Sequence, residues 1–167
     1  MDEAFFKAFI DAEYGAIVGA AAAISGDRQS AEDAVQDALI RAWERLERGE
    51  PIDSLGAWVT TVALNISRNR IRSRSAEWRA RRRLSQPAFG HEAASDDRMD
   101  VLRSLLRLPR RQREAIVLHY YLGYSVTEIS TLMGTREGTV KSLLSRGRSR
   151  LRAQLQFAVP VDMEVER

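Results

Sequence analysis

The chain has 167 residues, 44% of them hydrophobic, enough for one ordinary domain or two small ones with a buried core. It contains no Cys, which excludes disulfides, thiol nucleophiles and Cys-ligated zinc. The net charge of +3 conceals two basic blocks: residues 68–83 hold 8 Arg against 1 Glu and residues 99–155 hold 11 Lys/Arg against 4 Asp/Glu, whereas residues 1–67 hold 5 Lys/Arg against 12 Asp/Glu.

Apolar residues recur at helical spacing along most of the chain, and no period-2 run of β-branched residues is long enough for a strand, so an all-α fold is expected. Phe5, Phe6, Phe9, Ile10, Ile17, Val18 and Ile24 stripe a first helix that ends near Ser25-Gly26. Ser30 offers an N-cap for a second helix, with Glu32 and Asp33 in its first turn. Val35, Ala38, Leu39, Ala42, Trp43 and Leu46 form the buried stripe of that helix, and Gly49 and Pro51 stop it. Leu55, Trp58, Val59, Val62 and Ile66 stripe a third helix that runs into the arginine cluster. No uninterrupted apolar run approaches the ~20 residues of a membrane span, and MDEAFFKAFID is acidic where a signal peptide is basic. A cytoplasmic protein without membrane insertion is expected.

From about Arg79 to Asp97 the periodicity dissolves into RARRRLSQPAFGHEAASDD, which reads as a flexible linker over 79–98. A second helical unit follows: Met99 to Leu108, Pro109 at a helix boundary, Gln112 to Leu122, and two short helices. The last residues, 156–167, read as an acidic tail. The organisation is therefore two small helical domains, 1–78 and 99–155, on a tether. Two separate basic regions point to a polyanion contacted at two places.

Ser125-Val-Thr-Glu128 has the S-x-x-E form of a capping box, so a helix starts there and turns Val126, Ile129, Leu132 and Met133 inward. Gly134 supplies a left-handed stop, and Thr135 is the expected N-cap of the next helix. Two short helices across a Gly-containing turn in a basic segment make a helix-turn-helix, whose second helix enters the major groove. At about 100° per residue, Val140, Leu143, Leu144, Gly147 and Leu151 share one side of that helix. Gly138, Lys141, Ser142, Ser145, Arg146 and Ser149 fall on the other sides. Each glycine costs about 1 kcal/mol relative to Ala inside a helix. Gly147 is expected to admit a close core helix, and Gly138 to let a phosphate approach the backbone. Lys141 and Arg146 can reach guanine edges or phosphates, and Ser142 and Ser145 either.

The segment LPRRQREAIVLHYYLGYSVTEISTLMGTREGTVKSLLSRGRSRLR resembles the minus-35-reading domain of bacterial sigma factors. AEDAVQDALIRAWERL and GAWVTTVALNISRNRIRSR resemble their minus-10-binding second domain. Having only these two domains and a short linker, the chain is similar to the extracytoplasmic-function group of the sigma-70 family. The resemblance implies a promoter-specificity subunit with no catalytic activity and no cofactor or metal. Its implied partners are core RNA polymerase, through the largest-subunit clamp helices and the beta flap, promoter DNA, and an anti-sigma factor. It implies that Asp33, Gln36, Asp37, Arg41 and Glu44 dock on the polymerase. It carries the minus-10 role onto Trp58, Asn65, Arg68, Asn69 and Arg72, with Asn65 lining a pocket for a flipped base and the Arg70 to Arg83 cluster adding phosphate contacts. Trp58 and Trp43 also sit at core spacing. The minus-35 role falls on Thr135, Arg136, Gly138, Thr139, Lys141, Ser142, Ser145, Arg146 and Ser149. Ser130 departs from the Ala usual at the helix crossing, and its small size leaves the motif intact.

A stand-alone helix-turn-helix regulator accounts for 108–152 equally well but leaves the first 78 residues unexplained. A sequence-independent nucleic-acid binder accounts for the arginines alone. An enzyme finds no support: His91 lies in the linker and His119 reads as a packing residue, with no nucleophile motif or phosphate loop.

Overall fold

Helix boundaries in this chain are written by glycines and small polar caps. In the computed structural model, which describes residues 3–73 and 96–156 and the side chains of 3–69 and 99–155, the first helix, α1 (Glu3–Ser25), ends where Gly26 takes φ 82°. The Gly26 N–H closes onto the Ala22 carbonyl at 2.7 Å. α2 (Arg28–Glu47) then begins on Asp27 rather than on the expected Ser30. The Asp27 carboxylate accepts from the Ser30 N–H at 3.3 Å and from Ser30 Oγ at 2.6 Å, so Ser30 is the third residue of the turn that Asp27 caps. Gly49, at φ 74°, follows the end of α2, and Ser54 opens α3 (Leu55–Ser73) by accepting the Ala57 N–H at 3.4 Å.

These three helices pack as one bundle. Ile17, Val18 and Ala21 of α1, Val35, Ala38 and Ala42 of α2, and Val59 and Ala63 of α3 form its core. The ring of Phe6 meets Trp43 edge-on at 5.2 Å, which closes one end. Mean hydropathy and length alone would let α1 cross a membrane, a property missed by looking for uninterrupted apolar runs, but Phe6, Ile17, Val18 and Ile24 are buried among its helical neighbours.

The second bundle consists of α4 (Asp96–Arg107), α5 (Arg110–Tyr120), α6 (Val126–Leu132) and α7 (Glu137–Gln156). α4 starts three residues before the expected Met99. Pro109 stands at the cap of α5, where its missing N–H costs nothing. α5 is the central element: residues 112 to 118 are all buried, among them Arg113, whose guanidinium donates to the Leu106 carbonyl at 3.0 Å. His119 Nδ1 lies 2.8 Å from the Tyr124 carbonyl, and since a carbonyl only accepts, Nδ1 carries the proton and ties down the turn before α6. That contact bears out the packing role expected for His119. Among the described residues there are seven helices and no strand. The chain divides into two compact units, Met1–Gly90 and His91–Arg167. The linker and tail expected over 79–98 and 156–167 fall almost entirely outside the described residues.

Candidate nucleic-acid interface

The helix-turn-helix is built largely from backbone hydrogen bonds. Ser125 Oγ accepts the Glu128 N–H at 3.2 Å, while the Glu128 carboxylate accepts from Ser125 N–H at 2.8 Å and Oγ at 2.7 Å. This is the expected capping box, and the Ser125 hydroxyl and N–H hold the Glu128 carboxyl below its usual pKa. At the other end of α6, Gly134 sits at φ 57°; its N–H reaches the Thr131 carbonyl at 3.2 Å and the Thr135 N–H reaches Ser130 at 2.9 Å. The pair is a Schellman motif, which consumes two carbonyls that a helix end leaves open. The helix that follows begins at Glu137, so Arg136, not Thr135, stands immediately before it. Thr135 is drawn one residue back because its N–H belongs to the previous helix. Across the turn, Thr127 Oγ1 donates to Glu137 Oε1 at 2.7 Å. Ser130 fits the crossing by turning its hydroxyl onto the Thr127 carbonyl at 2.7 Å.

α7 divides as its spacing predicts. Val140, Leu144 and Gly147 are buried and Leu143 and Leu151 half-buried. Arg136, Gly138, Thr139, Lys141, Ser145, Arg146 and Ser149 are exposed, and Thr135 and Ser142 are half-buried. The two helical glycines differ as expected. A Cβ on Gly147 would lie 2.8 Å from Ile116 Cγ1 and 3.6 Å from Gln112 Cβ on α5, whereas a Cβ on Gly138 would meet nothing within 4 Å. Gly147 therefore serves the packing of α7 on α5, and no internal contact explains Gly138. Ser149 Oγ donates to the Ser145 carbonyl at 3.1 Å, so its hydroxyl hydrogen is directed along the helix.

In the first bundle, Asp33, Gln36, Arg41 and Glu44 are exposed along α2 and Asp37 is half-buried. Gln29 Nε2 donates to Asp33 Oδ1 at 3.2 Å, which holds one carboxylate on this face. Ile40 stands within the same strip at 58% exposure. Sequence reading missed it, although its position is out of phase with the buried stripe of Val35, Leu39 and Ala42, and that mismatch is a readable signal. On α3, Asn65 and Asn69 are exposed, and Arg68 is half-buried. Trp58 is half-buried against the core, which matches its core spacing. The side chains of the Arg70 to Arg83 cluster, Arg72 among them, lie outside the described ones. Arg68 Nη1 donates to Asn65 Oδ1 at 2.7 Å.

Residues 9–77 match the family model for sigma-70 region 2, and residues 98–151 match the model for sigma-70 region 4. The chain is 33% identical over 141 residues to the ECF RNA polymerase sigma factor EcfG of Rhodopseudomonas palustris, covering 81% of this chain and 76% of that one. It is an ECF sigma factor of the sigma-70 family. The sigma factor is also 32% identical over 163 residues to SigL of Mycobacterium tuberculosis, spanning 93% of its own length and 91% of SigL. Among solved structures, the sigma factor RpoE bound to the anti-sigma factor NepR, from Bartonella quintana, superposes with a TM-score of 0.76 at 30% identity. That match covers 95% of this chain and 98% of RpoE. CnrH, solved with the cytosolic domain of CnrY, shares the fold at 24% identity with a TM-score of 0.68. Sigma factors of this family are promoter-specificity subunits of bacterial RNA polymerase, and so is this chain. The region 2 match accounts for the first bundle, which a stand-alone regulator leaves without a role.

Proposed function

We propose that the two bundles divide promoter recognition between them. The second, over 99–155, reads the minus-35 box with the outer face of α7. The first, over 1–78, docks on the clamp helices of the largest polymerase subunit through α2 and opens the minus-10 box with α3. The observation that carries this reading is the two-sidedness of α7: Lys141, Ser145, Arg146 and the open backbone at Gly138 face solvent, while Gly147 lies against Ile116. A bare backbone at Gly138, in the first turn, admits a phosphate to the N–H groups at the positive end of the helix. Lys141 and Arg146 supply the base-edge donors and charge.

On α2, Asp33, Gln36, Asp37, Arg41 and Glu44 supply polar contacts to the polymerase, and Ile40 supplies the apolar centre. A mostly acidic rim around one exposed aliphatic side chain has the anatomy of a small interface core. The beta flap engages the second bundle. The sigma factor works in the cytoplasm, has no catalytic activity of its own, and is held inactive by an anti-sigma factor that covers the polymerase-binding surfaces. The relative from Bartonella quintana supports that regulation because it was solved with such an inhibitor. Run-off transcription with purified core enzyme on a promoter library is the test. Initiation at promoters sharing a minus-35 and a minus-10 box is the expected result. Tight operator binding by the chain alone, with no initiation on any template, would overturn it.

A further inference from the structure

Glu137 is the single acid among residues 134–152, which hold six Lys/Arg. It is the first residue of α7 and exposed, and Thr127, in the first turn of α6, donates its hydroxyl to Oε1 at 2.7 Å. Among the described residues no cation pairs with this carboxylate and no other hydrogen bond reaches it. The positive end of α7 favours an acid here, but on DNA the same charge is repelled by the phosphates unless it meets a donor. In a helix-turn-helix the first helix crosses the DNA backbone, and the N-terminal residues of the second meet base edges. Glu137 therefore stands at the base-reading end, steadied from the element that lies on the backbone. Successive helical side chains point about 100° apart, so a carboxylate held toward α6 leaves the Gly138 backbone open.

We propose that Glu137 is a specificity-determining residue of the minus-35 contact: held by Thr127, its carboxylate accepts from the exocyclic amine of a cytosine and turns away guanine and thymine. This rests on the reading that the outer face of α7 lies on the minus-35 box. An ionised carboxylate only accepts, and the Thr127 hydroxyl takes one lone pair of Oε1, which leaves Oε2 and the other lone pair to a base. In the major groove cytosine shows only its N4 amino donor, guanine the N7 and O6 acceptors, thymine the O4 acceptor beside its methyl, and adenine an N6 donor next to the N7 acceptor. Cytosine satisfies Glu137 with no lone pair set against it. Adenine does so with N7 close by, and guanine and thymine oppose lone pairs to a negative charge. Lys141, also exposed, stands one turn further along the same flank, so α7 offers an acceptor and then a donor to one C·G pair or its neighbour. That order fixes the orientation of the pair. A hydrogen bond to an ionised group is worth about tenfold or more in occupancy.

The test is run-off transcription by reconstituted holoenzyme on promoters carrying all four base pairs at each minus-35 position, using wild type, Glu137→Gln, Glu137→Ala, Thr127→Val, Thr127→Ser and Lys141→Ala. Wild type is expected to favour C·G over the reversed G·C pair by about tenfold or more at one position. Glu137→Gln, whose amide both accepts and donates, is expected to move the preference there toward adenine, and Glu137→Ala to flatten it. Thr127→Val is expected to shrink the preference about threefold, and Thr127→Ser, which keeps the hydroxyl, to restore it. If the Glu137 variants leave every ranking unchanged while Lys141→Ala alters one, Glu137 serves only the helix end and the proposal is overturned. A Thr127→Val variant that melts earlier but keeps the wild-type ranking overturns the positioning role of Thr127. If neither the Glu137 variants nor Lys141→Ala alters a ranking, α7 does not read bases and the proposal falls with that reading.

Discussion

Replacing each helical glycine of α7 by alanine should move stability in opposite directions. At Gly138 the new methyl enters open space, so only the backbone preference acts. A full helix-interior exchange is worth about 1 kcal/mol, and roughly half of that applies in the first turn. Gly138→Ala should therefore raise the melting temperature of the second bundle by about 2–4 °C. At Gly147, in the helix interior, the full gain of about 1 kcal/mol meets a Cβ 2.8 Å from Cγ1 of the buried Ile116. Overpacking of this kind costs about 1–3 kcal/mol, so the net effect is a loss of about 1 kcal/mol and a fall of about 4–8 °C. Thermal denaturation of the full chain followed by circular dichroism reads both shifts. DNA affinity should run the other way: Gly138→Ala weakens minus-35 binding despite the stabler fold, because its methyl crowds the approaching phosphate. Equal rises in melting temperature for the two variants would refute the packing argument. A Gly138→Ala variant with unchanged binding would refute the phosphate argument.

Three further outcomes can be checked directly. Ile40→Ala should leave stability within about 0.5 kcal/mol, since the side chain is 58% exposed, but weaken binding to core polymerase about fivefold in a competition titration. Lys141→Ala and Arg146→Ala should each cost about 1–3 kcal/mol at particular minus-35 positions, and an equal loss on every sequence would mean phosphate contact alone. The Glu128 carboxyl is held below its ordinary value of 4.5, so its ionised form is favoured in the folded chain. Its contribution is present above that value and lost as pH falls through the depressed one. Wild type should therefore exceed Glu128→Gln in stability at pH 6, and the gap should narrow as pH falls below 4.5 in parallel denaturant titrations.

Helix content, the capping box and the split of α7 were legible in the sequence because each is a local pattern whose chemistry acts within one or two turns. Gly147 was legible for the same reason, as a gap in an apolar stripe. The errors were also local. Ser30 and Asp27 are both good caps, and what separates them is the preceding Gly26, which turns the chain so that Asp27 arrives first. Thr135 missed the position before α7 because Gly134 and Thr135 are both spent closing α6. Ile40 and the Arg68–Asn65 contact were harder to read. The first needs the core to be known before an aliphatic residue can be seen to lie outside it, and the second depends on a rotamer that spacing permits without requiring.

The side chains assigned to reading DNA contribute little to holding the motif together. Its turn is fixed by main-chain bonds at Gly134 and Thr135 and by the Ser125–Glu128 box, and its packing by Val140, Leu144 and Gly147. Lys141, Ser145 and Arg146 can therefore be exchanged almost as freely as labels on a fixed frame. A lineage carrying this frame can retarget itself to new promoters by a few outward substitutions, without first surviving an unstable intermediate.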